Sequence, residues 1–290
     1  MTAPTTTPLP SPLAALVGVF RGTRDLFAEL GGHLVFYVRV LSRVGTDIIV
    51  RQRYRGEVAR HVSNVAVGSG AWIFGAGMVF VVFTMSFFTG TEVGLQGYKG
   101  LEQIGAEAFT GLVGSFANVR EVTPLIAATA LAAQVGAGFT AEIGAMRISD
   151  EIDALEVMAV PPLVYVVATR VTATLIALIP IYLISLLASF WATKLVTTEF
   201  YGLSPGVYDY YFRLYLPPID IVYSVLKMIV FTIVVTLIHC YYGYYASGGP
   251  AGVGVAVGRA IRASIVTIVV INFVLSLLFW GDGSTVTLTG

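Results

Sequence analysis

Charged side chains and cysteines are scarce in this sequence. Asp, Glu, Lys and Arg make up 12% of its 290 residues, whereas soluble domains carry about 25%, so an ordinary soluble fold is excluded. Lys plus Arg equals Asp plus Glu at 17 each, and no overall basic charge indicates nucleic acid as a partner. The one cysteine, Cys240, excludes an intrachain disulfide and predicts no metal site.

Motifs of catalysis and export are also missing. The three lysines occur in YKGL, TKLV and LKMI, so none stands in the Gly-Lys-Ser/Thr of a phosphate-binding loop. ATP must then be hydrolysed by another chain, if it is used at all. The start MTAPTTTPLPSPLAAL lacks the basic segment and cleavage site of a signal peptide, and residues 1–12 are predicted to be a disordered tail.

One short motif resembles a catalytic one. GLSPG at 202–206 formally matches the nucleophile elbow around Ser204. No strand–turn–helix pattern surrounds it, so a turn is the plainer interpretation. No catalytic residue and no cofactor is predicted.

Long uncharged runs are what the sequence does have. A helix crossing a bilayer needs about 20 mostly apolar residues. Five stretches reach that length, and they predict an all-α integral membrane protein with spans at about 65–90, 122–141, 165–193, 218–243 and 263–281.

Arginine is concentrated before the first span, where eight of the 17 basic residues lie. Because Lys and Arg favour the cytoplasmic side, the N-terminus is predicted to be cytoplasmic and, with five spans, the C-terminus extracytoplasmic. Residues 13–60 mix arginine with apolar runs too short to span, which indicates amphipathic helices in the headgroup plane or, alternatively, a small cytosolic helical domain. Gly31-Gly32 is expected to break these helices.

The segment EIGAMRISDEIDALEVMAVPP at 142–162, the acidic turn, holds five of the 17 acidic residues between two predicted spans. Ser149 is expected to cap a short helix that Pro161-Pro162 ends. Its apolar face would suit either a groove on a protein partner, with the acids at the rim, or the chain's own cytoplasmic face. Anionic lipid headgroups would repel it.

Two stretches carry a resemblance to a known family. GAGFTAEIGAMRISDEIDALEVMAVPP and YYGYYASGGPAGVGVAVGRAIRASIV resemble the signatures of the MlaE/YrbE permeases of ABC transporters, and the similarity covers roughly residues 30–281. The ending INFVLSLLFWG further resembles the B-type YrbE subunits of actinobacteria. Two departures are Asp150-Glu151, where the family has Glu-Gln, and Asn272, where Gram-negative members have Asp.

The resemblance implies a permease domain over residues 62–281 of a plasma-membrane transporter for lipids or other hydrophobic molecules. It implies import, with a second YrbE-type permease, ABC ATPase subunits on the cytoplasmic side and Mce-type lipid-binding proteins outside. Residues 149–159 would form the coupling helix on the ATPase. The implied coupling residues are Glu142, Met146, Asp150, Glu151, Ile152, Asp153, Leu155 and Met158, with Leu155 and Ile152 as apolar anchors.

Polar residues inside the spans allow two interpretations each. Lys227 in the fourth span either snorkels or pairs structurally, or it lines a polar part of a lipid path. Gln134 either lines such a path or bonds a neighbouring helix. Two tyrosine-rich stretches, 208–215 and 241–245, are predicted to be aromatic belts at opposite interfaces, although the first could also contact an outer partner.

Two other functions fit part of the sequence. An ion-coupled secondary transporter would use buried charges such as Lys227, but five spans without an evident repeat argue against it. A membrane scaffold without transport requires no lipid path. The permease subunit is the interpretation that also accounts for the acidic turn.

Overall fold

The computed structural model describes residues 31–51, 54–68 and 77–281. These residues form helices and connecting turns without a strand, and five of the helices are long and apolar enough to cross a membrane. The predicted fold class, all-α with five spans, is confirmed. The predicted tail and the part of the N-terminal region before residue 31 lie outside the described residues.

Two shorter helices precede the spans. Helix α1 runs through residues 31–43 and continues in wide, π-type turns over Val44–Val50, and α2 is Arg55–Val67. The described part of α1 begins at Gly31-Gly32, so the predicted break at these glycines stays a prediction. At its other end this helix stops at Val50, and Tyr54 has a left-handed backbone (φ 63°) just before α2.

The first spanning helix, α3, is described over Met78–Glu102 and ends later than the predicted 65–90. Hydropathy selected the apolar core of the run, whereas the helix continues through Glu92 and Lys99 to its end. Its small residues meet those of the third span: Ser86 and Ser185 hydroxyls are 3.1 Å apart. A side chain at Gly90 would lie 2.5 Å from the Ser189 carbonyl oxygen, so glycine permits this close helix contact.

The second spanning helix, α4, covers Glu107–Ile148, about twice the predicted 122–141. Wide π-type turns interrupt it at Asn118–Val122 and Ala132–Gly136. The prediction stopped at Arg120 and Glu121 because charged residues usually end a span. Here they are inside the helix, held by partners on other helices.

The remaining helices follow in order. They are α5 Glu151–Val157, α6 Leu163–Phe200, α7 Pro205–Leu214, α8 Pro218–Tyr244 and α9 Gly249–Trp280. Helix α9 starts before the predicted residue 263. The prediction began after Arg262 because charged residues usually end a span, whereas the helix includes both Arg259 and Arg262. Ser204 directly precedes α7 with Pro205 at the first helical position, the usual place for proline.

The two ends of the bundle differ. At one end α1 packs against the last turns of α8, with the Phe36 and Tyr241 ring centroids 5.4 Å apart, and α5 lies at this same end. At the other end α7 packs on α4, where Tyr208 is 1% exposed. The two predicted tyrosine-rich belts thus lie at opposite ends.

Candidate functional site

An ion pair is enclosed where α4, α8 and α9 meet. Arg120 donates from Nε and Nη2 to Asp220 Oδ2 at 3.0 and 2.8 Å, and Trp280 Nε1 donates to Asp220 Oδ1 at 3.0 Å. The two charged side chains are 7% and 2% exposed. The guanidinium also lies 3.4 Å from the centroid of the Phe116 ring. We call Arg120–Asp220 the closed pair.

A second ion pair lies one residue further along α4. Lys227 Nζ donates to Ser276 Oγ at 2.7 Å and lies 3.3 Å from Glu121 Oε1. Glu121 also accepts hydrogen bonds from Asn272 Nδ2 at 2.6 Å and from Ser276 Oγ at 2.5 Å. The Lys227 side chain is fully buried, yet that of Glu121 is 43% exposed. We call Lys227–Glu121 the open pair.

Local sequence explains how adjacent residues serve two pairs. Pro124 has no backbone N–H, so it cannot donate to the carbonyl of Arg120 four residues earlier. That carbonyl accepts instead from Lys227 Nζ at 2.7 Å. The wide turn at Asn118–Val122 adds room at this point, and such turns are frequent at functional sites.

The exposure of Glu121 has a physical consequence. A charged carboxylate facing lipid hydrocarbon is costly, so intramembrane charges face a bundle interior or a water-filled cavity. Glu121 lies in a helix long enough to cross a membrane, and its carboxylate accepts hydrogen bonds from α9 yet is 43% exposed. If this carboxylate lies at the depth of the hydrocarbon, water or polar protein has to surround it. Lys227 does not snorkel, because none of its side chain is exposed.

Gln134 lies in the other wide turn of α4 and is exposed. It lines a cavity of about 210 Å³ together with His61, Asn64 and Glu142. Burial lowers the pKa of His61 to about 4, with further lowering from the positive charges of Arg170 and Arg60. The imidazole is thus uncharged at neutral pH. The same turn places Gly136 against His239, whose Nδ1 is 2.8 Å from Thr140 Oγ1.

The acidic turn differs from its prediction at its start. Ser149 does not cap α5. Its hydroxyl donates to Glu151 Oε1 at 2.9 Å. The cap position is Asp150, whose backbone is left-handed (φ 59°) and whose side chain makes no capping hydrogen bond. Arg147 donates to Asp153 Oδ1 at 2.7 Å and so neutralises part of the acidic surface.

The two predicted anchors face the chain itself. Ile152 is fully buried in the core, and Leu155 packs partly buried against the same core. Helical periodicity predicts an apolar face but cannot tell which body that face meets. The apolar side chains that α5 leaves open are Val157, 88% exposed, and Met158, 64% exposed.

The structure separates the other predicted residues into different environments. Glu142 is paired with Arg170 at 3.1 Å, and Met146 packs against the core. Glu151 is exposed at the surface of the acidic turn, as are Asp150 and Asp153. Gln134 lies on α4 and Lys227 lies on α8, and the two side chains do not share a site.

Sequence reasoning missed most of the residues of the closed and open pairs. Arg120 and Glu121 were assigned to the boundary of a span, and Asp220 and Ser276 were not singled out. A signal existed in Pro124, which follows the charged dipeptide at helical spacing and frees a carbonyl inside a span. Val157 was overlooked because it lies off the predicted apolar face.

Five helices long and apolar enough to cross a membrane, several of them joined by ion pairs, are the fold of a multi-pass membrane protein. The family model described as Permease MlaE matches residues 67–278. The chain therefore belongs to the MlaE permease family.

Individual relatives agree with this assignment. A probable ABC transporter permease protein of Rickettsia prowazekii is 32% identical over 200 residues, covering 69% of this chain and 77% of that protein. The intermembrane phospholipid transport system permease protein MlaE of Haemophilus influenzae is 25% identical over 260 residues, covering 89% and 99%. The chloroplastic protein TRIGALACTOSYLDIACYLGLYCEROL 1 of Arabidopsis thaliana is 30% identical over 200 residues, covering 69% and 57%.

Proposed function

We propose that this chain is the permease subunit of an ABC-type transporter that moves lipids or similar hydrophobic molecules across the plasma membrane. Membership of the MlaE permease family and relatives named as phospholipid-transport and ABC permeases support this role. ATP would be hydrolysed by a separate ATPase subunit. Import is the direction that we propose.

The observation that carries the proposal is the open carboxylate of Glu121. It lies beside α9. Only 11% of the residues in the most apolar stretch of α9 are buried within the chain, compared with 56% in the third span, α6. A second permease subunit of the same family, facing this one across a cavity, would cover α9 and give Glu121 a polar environment. The headgroup of a transported lipid would then pass Glu121, with Lys227 behind it, and Gln134.

The acidic turn is the proposed contact with the ATPase. Val157 and Met158 would enter an apolar groove, because buried apolar anchors supply most of the energy of small interfaces. Glu151 and Asp150 would meet basic residues at the groove edge. Ile152 and Leu155 would hold α5 to the permease, so that movement of the ATPase is transmitted to the bundle.

The proposed orientation places α1 and α5 in the cytoplasm. The arginine-rich N-terminal region supports it, and α1 and α5 lie at the same end of the bundle. The end formed by α7 would then face outward, toward Mce-type lipid-binding proteins, and the C-terminus would be extracytoplasmic.

One reconstitution tests these assignments. The permease, its ATPase and the second permease are co-reconstituted in vesicles, and ATP-dependent transfer of a fluorescent phospholipid is measured together with ATPase pull-down. Val157→Arg should lower ATPase binding about tenfold or more, because it forces a charge into an apolar groove. Glu121→Gln should retain the ATPase but slow lipid transfer.

The matched control is Ile104→Arg, which changes a 74% exposed apolar side chain in the connection between α3 and α4. It should leave ATPase binding unchanged. Undiminished pull-down with Val157→Arg would reject the acidic turn as the ATPase contact. Undiminished lipid transfer with Glu121→Gln would reject the lipid path along this face.

A further inference from the structure

A groove of about 570 Å³ lies between the two N-terminal helices and the third span, α6. Ile48, in the wide turns that end α1, forms one wall together with Val58 and Val62 of α2. The opposite wall consists of Thr172 and Ile176 of α6. None of the described residues that line this groove belongs to the acidic turn, the closed pair or the open pair, so the proposed transport function does not use it.

The α6 wall places the groove at the edge of the membrane hydrocarbon. From Val171 to Thr193, α6 contains no charged residue, and this run is long enough to cross about 30 Å of hydrocarbon. Thr172 and Ile176 lie in the first two turns of the run, on the side of the bundle where α5 lies. The groove therefore opens where the lipid headgroups of that leaflet meet the acyl chains.

The same wall continues into an exposed apolar face of α6. Because successive residues of a helix are about 100° apart, Leu183 and Leu187 lie on the same side of α6 as Ile176. These three side chains are 41%, 66% and 52% exposed. Lipid tails are as apolar as leucine, so a spanning helix can leave such a face in contact with acyl chains. A chain lying in the groove can thus continue along α6 without leaving an apolar surface.

The other end of the groove carries a positive charge. Arg55 is the first residue of α2, is exposed, and lines the groove on the same helix face as Val58, Ala59 and Val62. The side chain of Tyr54, just before it, makes no capping hydrogen bond to the first turn of α2. Guanidinium groups and backbone N–H groups at the start of a helix both bind phosphate.

We propose that this groove binds one phospholipid of the leaflet on the α5 side of the membrane. The phosphate would lie at Arg55 and the first turn of α2. One acyl chain would lie between Val62 and Ile176 and continue along Leu183 and Leu187. The bound lipid would hold α2 against the third span. The proposal requires only that α6 crosses the membrane, so it does not depend on the transport function.

The dimensions and the charge of the groove select this occupant. One turn of a helix about 10 Å wide and about 5.4 Å long takes up about 400 Å³, so a groove of about 570 Å³ holds little more than one turn of a partner helix. An acyl chain is narrower and can follow the groove onto α6. A lipid without a phosphate, such as a diacylglycerol, would make no use of Arg55 or of the start of α2.

The test uses the full chain in phospholipid nanodiscs that contain a trace of photoactivatable lipid. The two probes, a phosphatidylglycerol and a diacylglycerol, carry the same photoreactive acyl chain. Label in residues 55–62 and 172–176 is quantified by mass spectrometry and divided by the label in residues 183–187, which corrects for insertion and for the amount of probe. This groove ratio should be about fivefold higher for phosphatidylglycerol, the effect of one arginine near a lipid phosphate.

Arg55→Gln tests the phosphate contact. It should lower the groove ratio of phosphatidylglycerol about fivefold and leave that of the diacylglycerol unchanged. The matched control is Arg60→Gln, because Arg60 is 64% exposed on the same helix and lies outside the groove. This control should leave both ratios unchanged.

Ala59→Trp tests the acyl chain. Ala59 is exposed and lines the groove, so the added ring should occupy the space of the chain without disturbing the core. The groove label of both probes should be lost while the label in residues 183–187 remains. Arg60→Trp adds the same ring outside the groove and should retain the groove label.

Three outcomes would overturn the proposal. The first is an equal groove ratio of phosphatidylglycerol in Arg55→Gln and Arg60→Gln, since the phosphate would then not be bound at Arg55. The second is groove label in Ala59→Trp equal to that in Arg60→Trp. The third is loss of the groove label from the wild-type chain when the second permease is reconstituted with it, which would make the groove a protein interface.

Discussion

The closed pair and the open pair lie one residue apart on α4, yet their surroundings differ. Asp220 is 2% exposed and receives hydrogen bonds from Arg120 and Trp280. Glu121 is 43% exposed although Lys227, its partner, is fully buried. The closed pair is satisfied within this chain, whereas the open pair directs a carboxylate out of it. The first joins three helices, and the second is available to something outside the chain.

The largest expected effect comes from breaking the closed pair. Asp220→Ala leaves the buried Arg120 guanidinium without this carboxylate, and removing one partner of a buried pair costs about 3–5 kcal/mol. The free energy of unfolding of the purified chain should fall by that amount. Asp209→Ala is the matched control, because the Lys194–Asp209 pair is 39% and 38% exposed and exposed pairs contribute about 0–1 kcal/mol. Equal losses of unfolding free energy in the two variants would show that the buried closed pair stabilises the chain no more than an exposed pair does.

A smaller effect is expected from the open pair. Lys227→Met removes the buried ammonium, but water can hydrate the remaining Glu121 carboxylate because it is partly exposed. We expect a loss of about 1–3 kcal/mol, mainly from the lost hydrogen bonds. The double variant Lys227→Met/Glu121→Gln should lose less than the sum of the two single changes, since paired residues are coupled. Additive losses would mean that the two side chains do not interact.

An effect confined to acidic pH concerns His61, which is buried but lies outside the spans. Its pKa is lowered from 6.5 to about 4 by burial and by the charges of Arg170 and Arg60. Unfolding allows it to take up a proton between these values, so its contribution to stability is complete above pH 6.5. That contribution is lost as the pH falls toward 4. His61→Leu should flatten the stability curve in this window, measured by denaturant unfolding at a series of pH values. An unchanged slope would assign the pH dependence to other groups.

The number and order of the spans could be predicted from the sequence because length and hydropathy alone decide which helices can cross a bilayer. Pro161-Pro162 likewise marked the end of the acidic turn. The bounds of α4 and α9 could not be predicted in this way. Glu121 and Arg262 were read as span ends, since hydropathy cannot tell whether a charged side chain has a partner on another helix.

The site was predicted less completely than the fold. Periodicity identified the apolar face of α5, but Ile152 and Leu155 turn that face to the core. Lys227 was recognised as unusual, while its partner Glu121 lies 106 positions earlier in the sequence. Pairings over such distances depend on how the helices pack. A single sequence carries no direct signal of that packing.

The wide turns of α4 have a consequence for changes in chain length. A residue added to a helix rotates everything after it by about 100°, and such a turn accommodates one extra residue. Deleting a single residue within Asn118–Val122 should therefore restore a regular helix there and leave Gln134, Glu142 and the acidic turn in their present directions. A deletion in the regular stretch Thr123–Leu131 has no such turn to absorb it, so it would rotate every following residue of the helix by about 100°. The second span should thus tolerate a change in length at its wide turns more readily than in its regular stretches.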